Sequence, residues 1–332
     1  MALTAVLEVE NLSTSYYTFR GMVKAVEKVS FKLEKEEILG IAGESGCGKS
    51  TLAWSLMGLV PPPGRVVEGS VKIDGIEVLN LSESERRKKI LWEKISMIFQ
   101  GAINAFNPVY TVGYQLAEPF IYHKNYSKKE ALEKVKELLK MVGLNPEIEK
   151  RYPHELSGGM KQRAVIAMAL ALEPSVIIAD EPTTALDVVI QSQILNLMKK
   201  LKQDKKLSFI FITHDMSVIA EMADKVAIMY AGRIVELGPS EIIFNRPYHP
   251  YTSALIRSIP RLRGPIEKLQ YIPGEPPNLI SPPPGCKFNP RCQYAEELCK
   301  KEEPGFVEVE KGHFVRCWKY DSGKQSSGGA IK

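Results

Sequence analysis

The sequence predicts an α/β protein in which strands and helices alternate around a mostly parallel sheet. The apolar runs Ile38–Ala42 and Val176–Ala179 have the composition of buried strands, and the first of them enters a glycine-rich loop. Helical patterns separate the apolar runs, and this alternation favours parallel pairing with helical cover. Proline and cysteine become frequent after residue 238, which predicts a small additional module there.

The other elements of the α/β body follow from the same patterns. Short apolar runs predict further strands, and apolar residues at helical spacing predict helices. The strands are Val6–Val9, Val29–Leu33, Val71–Ile73, Phe209–Thr213 and Val226–Met229, and the helices are Thr51–Met57 and Ile190–Leu201.

Residues 101–162 predict a helical subdomain inserted into this body. Ser127 and Glu130 have the spacing of a capping box, which marks the start of a helix. Apolar residues then recur at helical spacing from Leu132 to Val142. Gly143 follows where a glycine commonly ends a helix.

The composition shifts divide the chain into three parts. We expect a main domain over 1–238, an extension rich in proline and cysteine over 239–320, and a flexible Ser/Gly-rich tail over 321–332. The extension predicts much irregular structure.

Composition excludes several classes of protein. The 332 residues are 44% hydrophobic and 25% charged, which is typical of a globular protein and excludes a wholly disordered or collagen-like chain. A net charge of +5 makes no case for a nucleic-acid binder. The apolar run Ala164–Leu172 is nine residues long, whereas a bilayer crossing needs about twenty. The N-terminus lacks the basic start of a signal peptide, so we expect a cytoplasmic chain.

A phosphate-binding loop follows the strand Ile38–Ala42. Residues 43–50 fit the pattern G-x-x-x-x-G-K-[ST], and a helix is predicted directly after them. Glycines allow successive N–H groups to point at phosphate oxygens, and the helix N-terminus adds positive dipole. In this loop Lys49 can reach the β- and γ-phosphates, and the Ser50 hydroxyl can bind Mg²⁺. The candidate nucleotide-binding residues are Gly43, Ser45, Gly46, Cys47, Gly48, Lys49, Ser50 and Thr51, with Cys47 expected to act as a small filler.

Two acids end the strand that begins at Val176. Acids at the carboxyl edge of a parallel sheet lie where ligands bind. Asp180 is the candidate Mg²⁺ ligand, and Glu181 is the candidate general base that polarises the attacking water.

The order of the motifs resembles the ATP-binding cassette (ABC) ATPases. Leu156–Gln162 is similar to the signature sequence of that family, and it lies one predicted helix before the strand with the two acids. Gln100 resembles the family's Q-loop glutamine, Ala185–Asp187 its D-loop, and His214 its switch histidine. The resemblance implies a P-loop NTPase core that hydrolyses ATP with Mg²⁺.

The resemblance also implies the roles of these residues. Two subunits meet head to tail, so that Ser157, Gly158 and Gly159 of one face the ATP bound by Lys49 of the other. It implies that Gln100 contacts Mg²⁺ and the water, that His214 contacts the γ-phosphate, and that Asp187 signals across the interface. An aromatic residue before the first core strand stacks on adenine; Tyr16 is the better candidate and Tyr17 the alternative.

Within this family the chain resembles the ATP-binding subunits of oligopeptide and dipeptide importers. Pro247–Thr252, Pro273–Pro277 and Gly285–Cys292 are similar to their C-terminal extension. The resemblance implies a second ATPase subunit (a paralogue or a copy of this chain), two transmembrane permease subunits and an extracellular solute-binding protein, with no nucleic acid. It places the chain at the cytoplasmic face of the membrane. The solute is a peptide by default, with an oligosaccharide or nickel as alternatives.

Four cysteines lie close together in the extension. The spacing of Cys286, Cys292, Cys299 and Cys317 leaves an iron–sulfur cluster, zinc and disulfides open. The resemblance favours a [4Fe-4S] cluster over Zn²⁺, with a structural or regulatory role because ATP hydrolysis needs no redox step.

Two rival functions are less consistent with the sequence. A soluble ABC ATPase acting on nucleic acid or ribosomes commonly has a second cassette or a long coiled coil, and neither pattern is present. An iron–sulfur sensor that uses ATP only as a structural ligand does not need Glu181 and His214, which this chain has.

Overall fold

The computed structural model describes residues 5–101, 105–184, 186–258 and 272–321. Within these ranges no helix is long and apolar enough to cross a bilayer. Ala185 of the predicted D-loop and residues 322–332 of the predicted tail lie outside the described residues.

The predicted parallel sheet is confirmed. Its parallel strands lie in the order β9, β3, β8, β7, β6. Their bounds are β3 Ile38–Ala42, β6 Ile95–Ile98, β7 Val176–Asp180, β8 Ser208–Ile212 and β9 Lys225–Tyr230. Three antiparallel strands extend this sheet beyond β9, namely β10 Arg233–Pro239, β12 His313–Val315 and β11 Val307–Glu310.

The first predicted strands belong to a separate antiparallel sheet. Its strands, in the order β2, β1, β4, β5, are Gly21–Glu34, Ala5–Thr18, Gly64–Ile73 and Ile76–Glu77. The apolar runs Val6–Val9 and Val29–Leu33 are only parts of two strands of 14 residues each. Their polar ends are held by ladder hydrogen bonds and not by an apolar pattern, so the sequence pattern underestimates their length.

Helices cover the main sheet and form the inserted subdomain. The helices of the described residues are α1 Lys49–Leu56, α2 Glu83–Lys89, α3 Val112–Lys124, α4 Lys128–Met141, α5 Gly158–Ala169, α6 Val188–Lys205, α7 Met216–Met222, α8 Ser240–Asn245, α9 Pro250–Arg257 and α10 Glu297–Lys301, with 3-10 helices at Pro146–Lys150, Pro153–Glu155 and Asn289–Arg291. The predicted capping box is present at α4, where the Ser127 hydroxyl accepts from the Glu130 N–H. The left-handed Gly143 follows the end of that helix.

The two faces of the main sheet bury different cores. Ile38 and Ala42 of β3 pack in the core shared with the helical subdomain. Leu39 and Ile41 point to the opposite face and pack against α1 and the antiparallel sheet. A fully buried strand such as β3 is therefore apolar at consecutive positions, which is the pattern that the sequence shows.

The C-terminal residues continue the main sheet at one edge. β12 pairs with β10, and the fully buried carboxylate of Glu236 on β10 joins the two. It accepts hydrogen bonds from the backbone N–H groups of Tyr248 (2.7 Å) and His249 (2.9 Å), and the Nε2 atom of His313 lies 2.8 Å from it. Buried polar groups are costly without partners, so these bonds fix the extension in place. The boundaries 1–238 and 239–320 stay predictions.

Candidate functional site

One cleft of about 580 Å³ lies beyond the carboxyl ends of the parallel strands. The phosphate loop follows β3, Glu181 follows β7, and His214 comes soon after β8. Ligands bind at this edge of parallel sheets. The cleft is lined by Tyr16, Val23, Ala25, Ser45, Gly46, Gly48, Lys49, Ser50, Thr51, Gln100, Glu181, His214 and Leu279.

The backbone of the phosphate loop requires glycine. Gly48 has φ of 107°, and a Cβ atom there would lie 2.1 Å from the carbonyl oxygen of Ala25. The loop delivers Lys49 to the first position of α1. Its Nζ atom donates to the carbonyl oxygens of Gly43 (2.7 Å) and Glu44 (3.0 Å). The ammonium group is thus held at the loop, where it can bind phosphate.

Cys47 and Gly43 are structural members of the loop. Neither lines the cleft. The Cys47 thiol is buried, and that burial raises its pKa, so it is a neutral filler as the sequence predicts. A Cβ atom on Gly43 would lie 2.2 Å from the carbonyl oxygen of Met229.

Asp180 has the properties of a buried cation ligand. Asp180 is only 2% exposed, and its Oδ1 atom has no hydrogen-bond partner among the described residues. Burial raises the pKa of Asp180, and the nearby Ser50 hydroxyl opposes this change. An unpaired buried carboxylate oxygen beside a hydroxyl fits the oxygen ligands that Mg²⁺ prefers.

Glu181 is held by three side chains at the cleft. Gln100 Nε2 and Thr184 Oγ1 each donate to Glu181 Oε2 at 2.9 Å, and His214 Nδ1 lies 2.9 Å from Glu181 Oε1. Burial by itself raises the pKa of Glu181, but the hydrogen bonds from His214 and Thr184 lower it below its ordinary value. The carboxylate is therefore ionised at neutral pH, which is the form that a general base needs.

The cleft distinguishes the two candidate adenine-stacking residues. Tyr16 lines the cleft and Tyr17 does not. The Arg65 guanidinium covers the ring of Tyr17 at 4.6 Å from its centroid. The geometry therefore favours Tyr16 as the aromatic surface for a base.

The signature residues lie outside this cleft. Ser157 is exposed and caps α5, where its hydroxyl accepts from the Met160 N–H at 3.4 Å. Asp187 caps α6 by accepting from the Ile190 N–H at 3.0 Å. The two helices touch because Gly159 has no side chain; a Cβ atom there would lie 2.9 Å from Ile190. Ser157, Gly158, Gly159 and Asp187 thus do not join the ATP-binding residues within one chain.

Sequence reasoning missed three kinds of residue at the site. Val23 and Ala25 come from β2, and Leu279 comes from the extension, and no local pattern marks any of them. Thr184 bonds Glu181 and lies within the motif Asp180–Asp187, so its position next to the two acids is the signal that could have found it.

The predicted iron–sulfur site is not supported by the structure. Within the described residues, no group of three or more His, Cys, Asp or Glu side chains is placed to hold a metal ion. All five cysteines are free thiols, so none of the four forms a disulfide. Cys286 and Cys299 are nonetheless neighbours, since the Cys286 N–H donates to the Cys299 carbonyl oxygen at 2.8 Å.

We predict that Tyr16→Ala weakens ATP binding and that Tyr17→Ala does not. Stacking of a base on an aromatic ring contributes about 1–3 kcal/mol, so the Kd should rise roughly five- to a hundredfold. Tyr17→Ala is the matched control, since it removes an adjacent ring that is absent from the cleft. Titration with a fluorescent ATP analogue measures both, and an equal loss in the two variants would contradict the assignment.

Comparisons with known proteins identify the family and the fold. Residues 26–184 match the family model described as ABC transporter, and residues 235–299 match the model for the oligopeptide/dipeptide transporter C-terminal region. A dimeric structure of an ATP-binding cassette bound to ADP and Pi has a TM-score of 0.63 and 30% identity, covering 70% of this chain and 98% of that chain.

Full-length relatives extend the match to almost the whole chain. The dipeptide transport ATP-binding protein DppD of Bacillus subtilis (strain 168) is 48% identical over 319 residues, which are 95% of this chain and 95% of that protein. The oligopeptide transport ATP-binding protein OppD of Escherichia coli (strain K12) is 47% identical over 318 residues, 95% of this chain and 93% of that protein. The chain therefore belongs to the ABC transporter family, among the dipeptide and oligopeptide transport ATP-binding proteins.

Proposed function

We propose that this chain is the ATP-hydrolysing subunit of an importer for dipeptides and oligopeptides. The observation that carries the proposal is the single cleft that gathers the phosphate loop, Gln100, Glu181 and His214. The sequence match to the oligopeptide/dipeptide C-terminal region supports the solute class. Leu279 of the extension also lines this cleft.

The predicted site residues have distinct roles in ATP hydrolysis. The loop N–H groups and Lys49 bind the phosphates, and Tyr16 stacks on the adenine. Ser50, Asp180 and Gln100 would hold Mg²⁺, which neutralises charge on the phosphates when bound.

Glu181 would accept the proton of the attacking water, because its carboxylate is ionised at neutral pH and lies at the cleft. His214 orients Glu181 through the contact of its Nδ1 atom with Oε1, and it would stabilise negative charge on the γ-phosphate.

A second ATPase subunit completes the site. Ser157, Gly158 and Gly159 lie at the N-terminus of α5, outside their own chain's cleft. In a head-to-tail pair they would face the ATP of the partner, where N–H groups at a helix start bind anions. ATP is then part of the interface, so its binding favours pairing and its hydrolysis favours separation.

The membrane partners follow from family membership. We infer that two permease subunits carry the solute across the bilayer and that an extracellular protein delivers it. The chain would act at the cytoplasmic face, bound to the permeases. Pairing of the two ATPases is the step that would drive the permeases between inward and outward states.

We predict that Glu181→Gln abolishes turnover and traps an ATP-bound dimer. Loss of a general base costs about 100- to 10,000-fold in rate. Glu221→Gln is the control, because its carboxylate pairs with Lys199 on the surface, 2.8 Å away. Phosphate release measures turnover, and light scattering measures the mass with and without ATP. Undiminished turnover in Glu181→Gln would refute the base assignment.

The same dimer tests the role of the signature turn. Adding Ser157→Arg to Glu181→Gln should return the mass to that of one chain in the presence of ATP. Ser127→Arg, added to Glu181→Gln in the same way, is the control. Ser127 is also an exposed helix cap, but it caps α4 and not α5. A dimer that survives Ser157→Arg, or is lost equally with Ser127→Arg, would contradict the composite site.

We predict that peptides stimulate ATP hydrolysis by the native assembly. Detergent purification should recover two permeases and a second ATPase subunit, identified by mass spectrometry. After reconstitution with the solute-binding protein, dipeptides or oligopeptides should raise turnover several-fold, and Glu181→Gln should remove the response. Stimulation by an oligosaccharide or by nickel in place of peptides would reassign the solute, and co-purifying ribosomes or nucleic acid would overturn the importer.

We further propose, from the sequence, that Cys286, Cys292, Cys299 and Cys317 hold a [4Fe-4S] cluster. Its support is the set of four thiols in one segment of the extension, where the Cys286 N–H donates to the Cys299 carbonyl oxygen at 2.8 Å. ATP hydrolysis requires no electron transfer, so the role would be structural or regulatory.

Anaerobic purification tests the cluster. Brown protein with about four iron atoms per chain is expected, since that is the composition of the cluster. Cys292→Ser should lose the iron, whereas Cys47→Ser, which changes the buried filler of the phosphate loop, should retain it. Zinc in place of iron would favour the alternative metal, and colourless protein without metal would refute a metal site.

A further inference from the structure

The phosphate loop contains a carboxylate that is bound from outside the cleft. Glu44 is the second residue of the loop, and the Arg291 guanidinium holds both of its oxygens. Arg291 Nη1 donates to Glu44 Oε2 at 2.6 Å, and Nη2 donates to Glu44 Oε1 at 2.9 Å. Arg291 is only 8% exposed. A two-point pair of this kind fixes both the charge and the orientation of the carboxylate.

Residues of the extension and of β9 fix Arg291 in turn. Its Nε atom donates to the Pro273 carbonyl oxygen at 2.8 Å, and Nη1 lies 3.4 Å from the Tyr230 hydroxyl. The fully buried Tyr251 accepts from the Glu44 backbone N–H at 2.9 Å. The outer side of the phosphate loop is therefore bonded to residues far along the chain.

The charge of Glu44 matters because the ligand of this loop is an anion. An unpaired carboxylate next to a triphosphate site repels the phosphates, and the repulsion is strong where water is partly excluded. The guanidinium of Arg291 cancels that charge and directs the carboxylate away from the cleft, since Glu44 is absent from the lining residues.

We propose that Arg291 is a positioning residue for ATP binding. It acts through Glu44, by fixing the outer side of the phosphate loop and by neutralising the loop's carboxylate. The extension thus helps to set the affinity of the chain for ATP. This inference rests on the proposed ATPase function.

The test compares the loss of Arg291 alone with the loss of Arg291 together with the charge of its partner Glu44. In R291Q, the KM for ATP and the Kd for a fluorescent ATP analogue should each rise about tenfold, with kcat within about twofold, because an unpaired charge remains beside the phosphates. In the double variant E44Q/R291Q both constants should return most of the way to their original values. A residue that served only packing would not be rescued by E44Q. The excess repulsion in R291Q should also weaken with added salt.

Arg233→Gln is the matched control. Arg233 is also buried, and its Nη2 atom pairs with Glu27 at 3.0 Å and Glu303 at 2.7 Å, but it does not bond the loop. The Arg233→Gln substitution should lower the melting temperature and leave the KM for ATP unchanged. If R291Q fails to fold, R291K, which retains the charge without the two-point geometry, should show a smaller rise in KM.

The outcomes separate this inference from the function on which it rests. An unchanged KM in R291Q, an equal rise in R233Q, or failure of E44Q to rescue R291Q would overturn the inference alone. Absence of ATP binding by the unsubstituted chain would overturn both.

Discussion

The parallel register of β7, β8 and β3 is the constraint on which the site depends. Ile212 of β8 pairs with Ile41 of β3 on one side and with Asp180 of β7 on the other, so the three strands end at the same level. The phosphate loop, Glu181 and His214 therefore leave the sheet at one edge. A shift of one residue in any strand would exchange its two buried faces, so that side chains fitted to one core would point into the other; packing and chemistry therefore require the same register.

The two adjacent acids have opposite surroundings, and this difference separates their roles. Asp180 is buried with an unpaired oxygen, which burial penalises and a cation would stabilise. Glu181 has its oxygens satisfied by Gln100, Thr184 and His214, so it remains ionised without a cation. Its backbone has φ of 47°, a conformation that costs energy for a residue with a side chain. The surrounding hydrogen bonds hold that conformation, which turns Glu181 towards the cleft.

Local patterns were sufficient to predict the parts of the protein in which neighbouring residues act together. The phosphate loop, the strand before Asp180 and the capping box of α4 depend on glycine, apolar runs and short-range hydrogen bonds, which the sequence displays directly. The pairing of β12 with β10 and the position of Leu279 in the cleft depend on contacts between distant segments. The Arg291–Glu44 pair joins residues 247 positions apart. No local sequence pattern predicts that Glu44 and Arg291 are partners, because the two side chains meet only in the folded chain.

The surface next to the signature turn bears on the proposed pairing of two ATPase subunits. Val188 and Val189, directly after Asp187, are 81% and 67% exposed. Covering apolar surface contributes about 25 cal/mol per Å², so these side chains favour a partner surface. Their contribution is small compared with the loss of freedom on association, which costs several kcal/mol. In the proposed pair, ATP supplies the remaining free energy of association, because the N–H groups at the start of α5 gain a phosphate partner only when nucleotide is present. In the proposed pair, an interface that is weak without nucleotide would allow nucleotide to control pairing.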